Sequence, residues 1–80
     1  MHLPEGWKEI DGRLMSEFEF DNFDQAKNFV DQISLVFQEH NHHADVHFGW
    51  GYVVLELMTH DQQAITDLDL NLAEAINQLR

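Results

Sequence analysis

Hydrophobic and polar positions alternate in two tracts of the chain and recur at helical spacing in two others. From Arg13 to Phe20, Leu14, Ser16, Phe18 and Phe20 fall on one side, with Met15, Glu17 and Glu19 on the other. That two-residue period belongs to a half-buried strand. Trp7 to Ile10 is a shorter strand candidate, and the Asp11-Gly12 step that follows is a type I′ turn signal. The two segments are therefore predicted to form a hairpin with one buried face. Next, Ala26, Phe29, Val30, Ile33, Val36 and Phe37 form an apolar stripe of helical period, opposite Lys27, Asp31, Gln32 and Ser34. Asn22 is placed to cap this helix, with Gln25 three residues on as a capping box requires. The stripe stops near Gln38 to His40.

Alternation then returns. Val46, Phe48 and Trp50 are expected on one side, and Asp45, His47 and Gly49 on the other. Gly49-Trp50-Gly51-Tyr52 reads as a turn into a strand from Val53 to Met58, with Val53, Leu55 and Leu57 toward the core. Thr66 is a cap with Asp69 three residues later, and Leu68, Leu72, Ile76 and Leu79 are expected to share the buried face of a last helix. The opening Met1 to Gly6 has no periodicity and reads as irregular. The predicted order is β-β-α-β-β-α, an α+β fold in which a four-stranded antiparallel sheet carries its helices on one face. Residues 1–80 are expected to make one domain.

Composition narrows the partners. Fifteen acidic residues against four basic ones give a formal charge of −11, which repels phosphate polyanions. No direct contact with nucleic acid or an anionic membrane is expected, and a neutral or weakly basic small molecule, or a protein, is the favoured partner. There is no cysteine, so disulfides and thiolate metal sites are excluded. No signal peptide is recognisable, and no apolar run approaches the ~20 residues a spanning helix needs; a cytoplasmic setting is expected. A core this small favours association, so a homodimer or larger assembly is expected.

Chemistry concentrates between Gln38 and Asp45, where His40, His42 and His43 fall within four residues. A hairpin centred between Gly49 and Tyr52 sets His42 level with Thr59 or His60 under ordinary loop geometry, which gathers His42, His43 and His60 at one end of the sheet. Imidazoles near neutrality donate or accept protons readily, and they also bind zinc, copper or nickel. Adjacent His42 and His43 point apart on an extended backbone, which makes joint ligation of one ion awkward. The third reading is a set of exposed loop polars. His2, His40 and His47 are expected on the surface, and Trp50 packed in the hairpin.

The run Asn41-His42-His43, then Trp50, then Thr59-His60-Asp61, then Asp69, resembles the pterin-4a-carbinolamine dehydratases. The intervals 43 to 50, 43 to 60 and 60 to 69 match that family's pattern, and Gly6-Trp7, Phe18 to Phe20 and Asn71-Leu72-Ala73 resemble its flanking text. The resemblance implies the same β-β-α-β-β-α order, with the helix that usually precedes it expected to be missing. It implies dehydration of 4a-hydroxytetrahydrobiopterin to the quinonoid dihydropterin, a pterin substrate, no metal and no other cofactor. It further implies association into dimers or tetramers and a functional link to an aromatic amino-acid hydroxylase. By resemblance His42, His43 and His60 are the catalytic set, His42 and His60 as acid and base and His43 holding the pterin; the same three histidines with Ala44, Thr59, Asp61 and Gln62 make the substrate-binding set. The chain departs from the family pattern at Gln38, Ala44, Tyr52 and Leu68, where an acidic residue, Pro, a basic residue and Arg are usual. Asp69 has an independent use as the second half of the Thr66 capping box.

Overall fold

The computed structural model describes residues 2–79; Met1, where the irregular lead-in begins, and Arg80 lie outside them. The elements are β1 (Lys8–Ile10), β2 (Arg13–Glu19), α1 (Phe23–His40), β3 (Asp45–Gly49), β4 (Tyr52–Leu57) and α2 (Asp67–Asn77). They form one antiparallel sheet in the order β1-β2-β4-β3. Helix α1 carries the chain from β2 to the far edge, and β4 returns between β2 and β3. The expected α+β order is the observed one.

The hairpins follow from their turns. Asp11 and Gly12 have φ of 52° and 78°, the left-handed pair that a type I′ turn demands. Gly49 pairs with Tyr52, so the second turn is only Trp50-Gly51. That tight turn takes Trp50 out of the strand alternation, and it is 74% exposed rather than packed. The register from Gly49 and Tyr52 back to Asp45 and Glu56 runs in the direction needed to bring the residues before β3 beside those after β4.

One face of the sheet supplies Leu14, Phe18, Val53, Leu55 and Leu57 to the core. Ala26, Phe29, Ile33 and Phe37 of α1 and Leu72, Ala73 and Ile76 of α2 close over them. Trp7, buried just before β1, extends this core: its ring meets Phe18 edge-on at 6.2 Å, and its Nε1–H donates to Asn77 Oδ1 at 3.0 Å. The three residues of β1 itself are exposed, so the buried face of that hairpin comes from Trp7 and β2.

Two helix details differ from expectation. Asn22 does cap α1 by accepting from Gln25 N–H, but the Gln25 side chain accepts from Asp21 N–H, so the box does not close on Asn22. On α2 the buried stripe is Asp69, Leu72, Ala73 and Ile76, while Leu68 and Leu79 are 51% and 39% exposed. The helix is thus turned by one residue from the leucine count, and an acidic side chain faces inward. Among the described residues no helix is long and apolar enough to cross a membrane.

Candidate active site

The C-terminus of α1 delivers the first histidine. Asn41 sits in the left-handed region at φ 51° and ψ 40°, a conformation that Asn tolerates better than most residues with a Cβ. Its N–H donates to Gln38 O and the His42 N–H donates to Phe37 O, the paired bonds of a Schellman cap. Those bonds fix the backbone at His42 before β3 begins. His43, next along, is exposed and lays its ring beside Phe37 at 5.7 Å. Ala44 is half-buried against the core.

The other wall follows β4. Thr59 and Ala64 bridge, with Thr59 N–H donating to Ala64 O at 2.9 Å. Gln62 and Gln63 N–H donate to Thr59 O and His60 O, and Gln63 takes φ 53° to make the return. The loop leaves His60 and Asp61 exposed at its tip.

Between these walls lies an open cleft of about 400 Å³ lined by Asn41, His42, His43, Ala44, Asp45, Thr59, His60, Asp61 and Leu68. That volume falls within the range of ordinary small-molecule sites, roughly 300–1,000 Å³. The gathering that the hairpin argument expects is seen: His42, His43 and His60 line one cleft. Ala44, Thr59 and Asp61 line it too. Gln62 does not; its backbone is spent on the loop turn. His2, His40 and His47 are exposed and stand outside the cleft lining.

Asp69 lies behind this lining and ties two of its residues together. Its side chain is fully buried, and His42 Nε2 lies 2.6 Å from its Oδ1. Oδ2 accepts from Thr59 Oγ1 at 2.8 Å and from Thr66 N–H at 2.9 Å. An ionised carboxylate only accepts, so Nε2 carries the hydrogen and the neutral ring keeps Nδ1 as its bare nitrogen. Asp69 is thus both the capping-box residue of α2 and the partner of His42. Among the described residues no buried side-chain nitrogen or oxygen lacks a partner. Also among them, no three His, Asp or Glu side chains are grouped to share a metal ion.

The contact of His42 with Asp69 is the feature of the candidate site that sequence spacing missed. A signal for it exists: residues 69, 72, 73 and 76 form a helical stripe with one carboxylate in it, and a buried carboxylate requires donors. Asn41, Asp45 and Leu68 also line the cleft, though none was among the expected site residues.

The chain is similar to known proteins along nearly its whole length. The model of the family described as pterin 4 alpha carbinolamine dehydratase matches residues 1–79. A protein of Prochlorococcus marinus strain MIT 9313 is 40% identical over 74 residues, which cover 92% of this chain and 77% of that one. A Sulfolobus acidocaldarius protein is 37% identical over 76 residues, covering 95% and 84% respectively. Both are provisionally named as pterin-4-alpha-carbinolamine dehydratases. The crystal structure of a transcriptional coactivator/pterin dehydratase from Brucella melitensis superposes with a TM-score of 0.86 at 28% identity, covering 92% of this chain and 81% of that one. A pterin dehydratase-like protein identified as a RuBisCO assembly factor in the alpha-carboxysome shares the fold, at a TM-score of 0.73 and 20% identity, covering 91% and 84%.

Proposed function

The chain belongs to the pterin 4 alpha carbinolamine dehydratase family, and we propose that it dehydrates a 4a-hydroxytetrahydropterin to the quinonoid dihydropterin. The observation that carries this reading is the common cleft of His42, His43 and His60, with buried Asp69 in contact with His42 behind it.

The reaction breaks the C4a–O bond and releases water. One proton must reach the leaving oxygen and one must leave a ring nitrogen, so an acid and a base suffice. His42 and His60, on opposite walls of the cleft, supply that pair. Asp69 accepts the Nε2–H of His42, which leaves Nδ1 as the nitrogen that takes or gives the catalytic proton. His43, exposed and backed by Phe37, offers a ring against which the flat pterin can rest. Ala44 and the Thr59-to-Asp61 turn close the ends. Proton transfer of this kind contributes about 10²–10⁴-fold, a suitable scale for a reaction that proceeds slowly without a catalyst. No metal or other cofactor takes part in this scheme.

In this reading the protein works in the cytoplasm, recycles the pterin released by an aromatic amino-acid hydroxylase, and assembles as a homodimer or homotetramer. The rival is a weakly active relative serving as an interaction module, which the departures at Gln38, Ala44, Tyr52 and Leu68 favour. A dehydratase assay on purified protein separates the two. The enzyme reading expects turnover above the uncatalysed rate and a loss of about 10²-fold or more in His42→Ala and in His60→Ala. Equal rates for the wild type and both variants, at the uncatalysed level, exclude it.

A further inference from the structure

Thr59 lines the cleft, yet its hydroxyl is committed elsewhere. A threonine hydroxyl has one proton to give. Thr59 Oγ1 donates to Asp69 Oδ2 at 2.8 Å. Its 2.6 Å contact with Thr66 Oγ1 must then be the reverse bond, with Thr66 donating. Thr66 Oγ1 in turn accepts from Leu68 N–H at 3.3 Å. Every proton in the chain is thereby assigned, from Leu68 N–H to Thr66, from Thr66 to Thr59, and from Thr59 to Asp69. On its other oxygen Asp69 accepts from His42.

We propose that Thr59 is a positioning residue rather than a substrate ligand. Aimed by Thr66, its hydroxyl pins the Asp69 carboxylate so that His42 is held in the Nε2–H tautomer with Nδ1 toward the cleft. The proposal rests on the functional reading only for the use of Nδ1; the tautomer itself is a property of the resting protein. The physical basis is the division of the carboxylate. With Oδ2 held by Thr59 and by Thr66 N–H, Oδ1 is reserved for the imidazole and the plane of the carboxylate is fixed. Without the Thr59 proton, Oδ2 keeps only the backbone donor, the carboxylate can rotate, and the imidazole loses its single orientation. The N-cap of α2 and the protonation pattern of the candidate base thus form one hydrogen-bonded unit.

The test is nitrogen-15 NMR of the His42 ring in the neutral form, for wild type, Thr59→Val, Thr59→Ser and Thr66→Asp. The wild type is expected to show Nε2–H alone. Thr59→Val should give mixed tautomers, and Thr59→Ser should restore the wild-type pattern. Thr66→Asp keeps a good N-cap but offers a second acceptor for the Thr59 proton, so it should loosen His42 in the same direction and serves if Thr59→Val does not fold. An Nδ1–H tautomer in the wild type overturns the proposal. So does a folded Thr59→Val protein, or a Thr66→Asp protein, whose His42 spectrum matches the wild type. The NMR readout needs no turnover, so it stands or falls separately from the dehydratase reading. Where turnover is measurable, Thr59→Val should lower kcat on the order of tenfold, part of the roughly 10²–10⁴ an acid–base group contributes, with KM changed less than threefold. A rise in KM with kcat intact marks Thr59 as a substrate ligand and overturns the proposal.

Discussion

His42 Nε2 lies 2.6 Å from Oδ1 of Asp69 in α2, 27 positions further along the chain. The same carboxylate accepts Thr66 N–H at the start of its own helix. Folding of α2 and orientation of His42 therefore depend on one buried group.

Asp69→Asn should separate shape from charge. An amide fills the same space but has one acceptor end; with its oxygen kept on Thr59 and Thr66 N–H, its NH2 can meet His42 Nε2 only as a donor, which forces the Nδ1–H tautomer. The expected result is a folded protein destabilised by up to about 1.5–3 kcal/mol, the scale of a hydrogen bond to a charged group. Turnover should fall within the 10²–10⁴ range that an acid–base group supplies. Urea titration with a dehydratase assay reads both, and wild-type turnover in a folded Asp69→Asn protein would dissociate Asp69 from the chemistry.

His43 is exposed and its ring rests beside Phe37, so its removal should leave stability within about ±0.5 kcal/mol, as for most surface substitutions. If it holds the pterin without exchanging protons, His43→Ala should raise KM several-fold with kcat nearly unchanged, the signature of lost uniform binding. Steady-state kinetics distinguish this from a drop in kcat, which would place His43 among the proton-transfer groups.

Leu55 sits at the centre of the sheet, level with Ser16 on β2 and Val46 on β3, and is fully buried. Leu55→Ala should cost about 2–5 kcal/mol through lost transfer energy and the cavity left behind. In a chain of this size that is a large fraction of total stability. Thermal or urea unfolding followed by circular dichroism gives the value.

Gly51 has φ of 79°, and a Cβ there would lie 2.9 Å from Phe20 O. The obstacle is backbone, and Phe20 N–H also donates to Gly51 O at 2.8 Å, so neither side can yield without breaking that bond. Gly51→Ala should destabilise by about 1–2 kcal/mol from the left-handed backbone alone, with the clash added. Gly12→Ala provides the control, since its φ is similar at 78° but a Cβ there meets nothing within 4 Å. The difference between the two measures the contact.

The elements and the hairpin registers were legible because they follow from local periodicity and turn chemistry. Asp11-Gly12 and the tight turn after Gly49 fix which residues face each other, and that suffices to bring His60 to His42 and His43. What periodicity could not give is how α2 is rotated on the sheet. Counting leucines chose Leu68, Leu72, Ile76 and Leu79, but the Thr66 cap and three hydrogen-bond donors draw Asp69 inward and leave Leu68 at the cleft. A buried carboxylate wins that position because its partners are brought by other elements. Trp50 failed for a simpler reason: alternation was carried one residue past the end of its strand. Gln62 falls outside the cleft lining because it lies on the return side of the four-residue loop tip, where its N–H donates to Thr59 O.

The position of Leu68 bears on substrate choice. Asp45 and Asp61 line the cleft and, among the described residues, no Lys or Arg does, in a protein with a formal charge of −11. A pterin with an uncharged side chain should therefore bind better than the same pterin carrying a phosphate, because the phosphate meets carboxylates and no fixed cation. Leu68→Arg places a guanidinium at a position that is already half-exposed, so it requires no burial of charge. A solvent-accessible ion pair is worth about 0.2–1 kcal/mol, which corresponds to a factor of roughly 1.4–5 in affinity. The variant should tighten the phosphate-bearing ligand by about that factor and leave the neutral one unchanged. Added salt should narrow the wild-type preference, since screening acts on the exposed carboxylates. Competition binding at low and high ionic strength measures both effects. An undiminished preference at high salt would mean that the shape of the cleft, and not its charge, sets the selection.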